Sequence, residues 1–231
     1  MFNEISGVYD LANHLLSLGL DFRWRKKVAA ELEKYHPESV LDLACGTAEL
    51  ALAIKKQNPE GFITGVDVAE KMLALAAEKI IKADAGNELS LAKADIEQMP
   101  FRDNSFEAAS IAFGIRNLEQ RAKGLKEICR VLKPGGVLAV LEFSMPEKGF
   151  FAVIYNLYLG KFLPLLGRII SGKQAYFYLR DTIREFPGPN EFCHELRNAG
   201  FDLKECIALS QGAVFLYLAE KQNHASDHRP A

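Results

Sequence analysis

This 231-residue sequence predicts a doubly wound α/β fold with a mainly parallel sheet. Three observations carry that prediction. Short β-rich runs alternate with stretches whose apolar residues recur at helical spacing, acids and glycines stand where the β runs end, and the last two β runs follow one another with no helix between them. The chain is 49% hydrophobic, which suits one domain with a full core.

The strands are expected at "SVLDLA" (39–44), "GFITGVD" (61–67), "LSLAKAD" (89–95), "FEAASIAF" (106–113) and "GVLAVLEF" (136–143). Between them "AELALAIKKQ", "AEKMLALAAEKIIKA" and "QRAKGLKEICRVL" repeat their apolar residues every three or four positions, as helices with one buried face do. A further helix is expected around "NEFCHELRNAG". The runs "FDLKECIAL" and "AVFLYLAEK" then flank the turn signal "SQGA", which predicts an antiparallel edge pair and seven strands in all. The reading is one domain over 1–222, with a helical cap at 1–37, an apolar insertion at 148–185 and a frayed tail at 223–231.

Net charge of −2 and a pI near 6.2 provide no general attraction for nucleic acid, which is excluded as a partner. The four cysteines are far apart and in no C-x-x-C pair, as expected of reduced thiols in a cytoplasmic protein. "MFNEISGVYD" has no signal-peptide pattern, and no run of about 18 uncharged apolar residues occurs. His36, His194, His224 and His228 show no paired ligand spacing, so no metal site is expected.

In such a sheet a ligand belongs at the carboxyl ends of the strands, where strand order reverses. The residues placed there are Asp42 and Gly46, Asp67, Asp95, and then Gly114, Arg116 and Asn117. Singly, a glycine turn is a chain reversal and a strand-end aspartate a helix cap. As an ordered series they describe a nucleoside site. Asp67 lies 21 residues after Gly46, the spacing of an acid that accepts hydrogen bonds from ribose hydroxyls. The turn Ala44-Cys45-Gly46-Thr47-Ala48 lacks the second glycine that a pyrophosphate needs, which weakens the rival reading of a nicotinamide oxidoreductase. S-adenosylmethionine fits better: its carboxylate can meet the Thr47 hydroxyl and the amides opening the next helix, while Asp95 and the Ile96 amide face the adenine. A module that binds this cofactor without turnover is the other alternative.

"LDLACGT", "GVDVAEKML", "ADIEQMPFRDNSFE" and "RVLKPGG" together resemble the class I S-adenosylmethionine-dependent methyltransferases, whose sheet is Rossmann-like. "YDLANHLLSLGLDFRW" (9–24), "RVLKPGGVLAVLEFS" (130–144), "FGIRN" (113–117) and "YFYLRDTIREFP" (176–187) are similar to signatures of the ubiquinone/menaquinone biosynthesis C-methyltransferases, from about residue 2 to 220. The resemblance implies cofactor contacts at Thr47, Asp67, Val68, Asp95 and Ile96 with Asp42 and Gly46 beside them, and catalytic roles for Arg116, Asn117, His14 and Tyr9. It implies a polyprenylated demethylquinol as substrate, of naphthoquinol or benzoquinol type, or else another lipid such as a phospholipid or sterol. The chain departs from the family at Ala48-Glu49, where many members have Gly-Asp, and at Ala112, where many have serine.

An activated sulfonium methyl needs an aligned, electron-rich ring carbon, so the reduced quinol rather than the quinone is the expected acceptor. Arg116 is expected to stabilise the quinol oxyanion, with an ion pair to Glu142 as its other reading; a water or His14 would carry the proton away. Trp24 and its basic neighbours Arg23, Arg25, Lys26 and Lys27 read as a solvated helix face or as a grip for a carboxylate or anionic lipid. Residues 148–180 hold eight Phe or Tyr, five cations including Lys161 and Arg168, and no Asp or Glu. That composition predicts a lid lying at a membrane surface, covering a lipid tail, or packing on a second subunit.

Overall fold

The computed structural model describes residues 14, 17, 19–145 and 173–223. Tyr9, most of the predicted cap before Leu20, and residues 148–172 of the predicted 148–185 insertion, with Lys161 and Arg168, lie outside the described residues.

The sheet has seven strands in the order β3-β2-β1-β4-β5-β7-β6. They are β1 (Ser39–Leu43), β2 (Phe62–Asp67), β3 (Leu89–Lys93), β4 (Phe106–Ala112), β5 (Leu132–Phe143), β6 (Phe201–Leu209) and β7 (Val214–Lys221). The first five pair in parallel, and β7 pairs antiparallel to both β5 and β6. The central strands are apolar because helices cover both their faces: Val40, Leu41 and Leu43 of β1 are fully buried. β5 starts at Leu132, four residues ahead of the expected Gly136. Its pairing with β4 jumps from Phe106↔Leu132 to Ala108↔Val137, so the KPGG kink is a bulge inside the strand rather than a loop before it.

Among the described residues six α-helices accompany the strands: α1 (Leu20–Glu33), α2 (Glu49–Gln57), α3 (Glu70–Lys82), α4 (Arg121–Val131), α5 (Lys173–Glu185) and α6 (Pro189–Asn198). On one sheet face Trp24, Val28 and Leu32 of α1 join Leu50 and Ile54 of α2 and Ile80 of α3. On the other, Leu125 and Ile128 of α4 join Phe192 and Leu196 of α6. Pro189 opens α6, where a missing amide hydrogen costs nothing.

The chain runs outward from β1 to β3 and then returns to β4 on the other side of β1, so strand order reverses between β1 and β4. α1 is held over that point by aromatic packing. The Trp24 ring lies 6.0 Å from Phe113 and 6.2 Å from Phe143, and its Nε1 donates to Ser210 Oγ at 3.1 Å. Trp24 is therefore core. Arg23, Lys26 and Lys27 form the exposed face, and Arg25 turns inward.

Candidate functional site

The loop after β1 holds three residues in the left-handed region: Ala44 (φ 47°), Gly46 (φ 55°) and Ala48 (φ 65°). Only Gly46 adopts that conformation without a side-chain penalty, so the loop is strained at both alanines. Asp67, at the end of β2, fixes it: Oδ2 accepts from the Gly46 amide at 2.9 Å and Oδ1 from the Ala69 amide at 2.8 Å. The loop after β4 closes against it at Gly114, where a Cβ would stand 2.7 Å from the Ala44 Cβ.

Between these loops lies a cavity of about 350 Å³. Gly46, Asp67, Val68, Asp95, Ile96 and Asn117 all line it, so the structure brings six of the predicted site residues around one cavity. Met72 and Glu119 also line it; Met72 stands within the stretch GVDVAEKML without being singled out there, and Glu119 lies in no quoted motif. Asp95 spends one oxygen on the Glu97 amide at 2.8 Å, which turns the chain so that Ile96 faces the cavity.

Asp42 and Thr47 face a smaller recess together with Arg25; Ala44, Gly46 and Ala112 are common to the recess and the cavity. Asp42 is 1% exposed. Its Oδ1 accepts from the Ser110 hydroxyl at 2.6 Å, while Oδ2 is buried without a hydrogen-bond partner. Burial pushes this carboxyl up to about 7, against the pull of Ser110. Arg25 donates to Asp21 at 2.5 Å and lies 5.7 Å over the Phe113 ring. Reading Arg25 as part of a solvated face overlooked its spacing four residues after Asp21, on the side of α1 that Trp24 and Val28 bury. Thr47 accepts from Lys79 at 3.2 Å, and Lys79 also pairs with Glu49. Cys45 is a poor nucleophile, because burial and the carboxylates of Asp42 and Asp67 push its thiol far up.

The four expected catalytic residues fare differently. Asn117, at the end of a single 3₁₀ turn (Ile115–Asn117), lines the cavity. Its neighbour Arg116 does not: Nη1 pairs with Glu142 Oε1 at 2.7 Å and donates to the Phe113 carbonyl at 2.5 Å, leaving the side chain 7% exposed. Burial pushes the Glu142 carboxyl up, with Arg116 and the Phe143 amide pulling the other way. The ion pair, the second of the two roles open to Arg116, is the one the fold realises. His14 Nδ1 lies 2.6 Å from Asp21 Oδ2. Burial opposes the charge on Asp21, yet bonds from Ser17, Arg25 and His14 outweigh it and hold the carboxyl below its ordinary range. Tyr9 is outside the described residues.

The site residues fit S-adenosylmethionine at both ends. The buried, unpartnered oxygen of Asp42 calls for a donor in a recess that also presents the Arg25 guanidinium, a complement to an α-ammonium and an α-carboxylate. Asp67, Asp95 and Ile96 stand where a nucleoside would lie. Fold and site together define an S-adenosylmethionine-dependent methyltransferase of Rossmann-like architecture. Solved structures share the fold: an S-adenosylmethionine-dependent methyltransferase from Thermotoga maritima superposes with a TM-score of 0.67 at 18% identity, covering 96% of this chain and 98% of that one. Another from Aquifex aeolicus does so with a TM-score of 0.61 at 21% identity, covering 83% of this chain and 88% of that one.

The chain belongs to the ubiE/COQ5 methyltransferase family, which it matches over residues 1–221. It is 45% identical to the demethylmenaquinone methyltransferase of Thermus thermophilus over 93% of this chain and 97% of that one. It is 39% identical to the ubiquinone/menaquinone biosynthesis C-methyltransferase of Geotalea uraniireducens, over 96% and 94% respectively.

Proposed function

We propose that this enzyme transfers the methyl group of S-adenosylmethionine to a ring carbon of a polyprenylated demethylquinol, with demethylmenaquinol preferred, in quinone biosynthesis. Family membership and the relatives' names support the reaction class. The observation that carries the site assignment is the cavity whose one wall is the acid series Asp67 and Asp95 and whose other wall ends at Asn117.

The cofactor supplies an electrophilic methyl group. The chain does the rest. Asp67 accepts from the ribose hydroxyls with the lone pairs left by its two backbone bonds, and the Ile96 amide reads the adenine edge. Asp42 and Arg25 take the amino-acid end, with Thr47 beside them. The acceptor ring then lies toward Asn117. Loss of the quinol hydroxyl proton raises electron density on the adjacent ring carbon, which attacks the methyl carbon as the sulfur keeps the bonding pair; that ring carbon afterwards gives up its own hydrogen and aromaticity returns. A water, or His14 whose Nδ1 is turned to Asp21, carries the hydroxyl proton away. Arg116 acts from behind, fixing the loop that carries Asn117 through its bonds to Glu142 and Phe113.

The acid-free aromatic stretch 148–180 supports peripheral attachment to the cytoplasmic membrane surface, where a tailed quinol resides. No helix among the described residues is long and apolar enough to cross a membrane.

Label transfer tests the function. Tritium should pass from the methyl group of S-adenosylmethionine into a demethylnaphthoquinol kept reduced with dithionite. No label should enter the oxidised quinone. Equal incorporation into both, or none into the quinol, sinks the reading.

A further inference from the structure

α5 reaches the site through a polar contact. The Tyr178 hydroxyl donates to Asn117 Oδ1 at 3.1 Å. The other end of α5 is anchored in the core. Ile183 is 2% exposed, and Phe186, just past the helix, packs on Phe192 with ring centroids 5.0 Å apart. Along the helix, Thr182 Oγ1 donates to the Tyr178 carbonyl at 2.9 Å. The phenol is therefore presented from a fixed base.

The contact orients Asn117. A carboxamide has an acceptor end and a donor end of nearly equal shape, and its neighbours decide which way it points. Here Nδ2 donates to the Phe113 carbonyl at 3.4 Å, and Oδ1 takes the Tyr178 hydroxyl on the opposite side. The Phe113 carbonyl can only accept and so sets the orientation, and the Tyr178 hydroxyl, which can donate or accept, locks it by donating to the oxygen left on the other side. One Nδ2 hydrogen is left over, on a residue that lines the cavity.

We infer that Tyr178 is a positioning residue for the methyl transfer: its hydroxyl holds the Asn117 carboxamide so that the remaining Nδ2–H is offered to the acceptor's oxygen. The inference rests on the acceptor reading above. A donor held in place before the reaction acts on the charge that develops on that oxygen, and a carboxamide free to rotate would spend part of its time presenting an acceptor instead.

Tyr178→Phe keeps the ring and removes the hydroxyl. With reduced short-tailed demethylnaphthoquinol it should lower kcat about three- to tenfold, the worth of one neutral hydrogen bond. KM for the quinol, affinity for S-adenosylmethionine and the thermal midpoint should each stay close to the parent value. Asn117→Ala should lower kcat further, and adding Tyr178→Phe to it should change nothing more, because the phenol acts only through the amide. A Tyr178→Phe enzyme with native kcat overturns the inference, as does a loss of kcat that persists in the Asn117→Ala background or a loss matched by a lowered thermal midpoint. Failure of the parent enzyme to methylate the quinol is a different result, and it strikes the proposed function instead.

Discussion

Two buried carboxyls stand at the same edge of the sheet, on strands that flank β4. Asp42 on β1 is 1% exposed and Glu142 on β5 is 0% exposed. Glu142 has its cation in place: Arg116 pairs with it at 2.7 Å, and the Arg116 and Phe143 amides point at it as well. Asp42 has the Ser110 hydroxyl on one oxygen and only the weaker pull of the Ala51 amide and Arg25 besides. Its other oxygen is buried without a hydrogen-bond partner, in a residue that lines the recess. Burial raises both pKa values. A buried carboxyl satisfied from within the chain is part of what holds the fold together, whereas one left half-satisfied beside a recess is the one a ligand group could still complete.

The largest effect that could break this comparison is Arg116→Met. It would leave Glu142 buried without a cation and should cost about 3–5 kcal/mol, read from urea denaturation. Adding Glu142→Leu should restore most of that stability. Native stability in the single variant would free Arg116 from the structural role and return it to direct contact with the acceptor. Asp42→Asn, by contrast, should leave stability at pH 7 unharmed, since no ion pair is lost.

Next comes Asp67→Ala. Two charge-assisted bonds to the ribose are worth roughly 1.5–3 kcal/mol each, so affinity for S-adenosylmethionine should weaken at least about tenfold by calorimetry. The Gly46 loop would also lose its anchor.

The pH dependence sharpens the contrast directly. Asp42 has an ordinary value near 3.8, raised to about 7 in the fold, so the native state holds a proton there that the unfolded chain has released. Stability from this group is present below about pH 4 and declines as pH rises through about 7. Cofactor binding runs the other way, because an ammonium partner needs the carboxylate. Affinity should fall about tenfold for each pH unit below about 7 and level off above it. Asp42→Asn should flatten both profiles; a wild-type affinity that is the same at pH 5.5 and 7.5 removes Asp42 from the cofactor site.

The smallest effect concerns the strained loop. Ala48, where many family members have glycine, sits at φ 65°. A left-handed alanine costs roughly 1–2 kcal/mol, and part of that is returned by the greater freedom of glycine in the unfolded chain. Ala48→Gly should therefore stabilise by about 0.5–1 kcal/mol in thermal denaturation. A destabilised variant would mean that the methyl group's packing in the core outweighs the backbone strain.

Much of this molecule was legible in its sequence, and for a physical reason. Strand and helix placement follow from apolar periodicity, which is local, and the strand ends bear the acids and Gly46 because a sheet of this kind leaves only that rim for a ligand. Gly46, Asp67, Asp95 and Asn117, singled out by their order at successive strand ends, line one cavity together with Val68 and Ile96. What local pattern does not contain is which charges meet. Arg116 and Glu142 are 26 residues apart and Tyr178 and Asn117 are 61 apart, and their pairings depend on how β5 and α5 pack against the turn after β4. Arg25 reads as one more cation on a basic helix until the docking of Trp24 against Phe113 and Phe143 turns it inward. Residue types and their order determined the fold and which strand ends meet around the cavity. Only the tertiary structure decided which buried carboxyl is paired within the chain and which keeps an unpartnered oxygen, because that choice is made by distances of a few ångströms between segments distant in the chain.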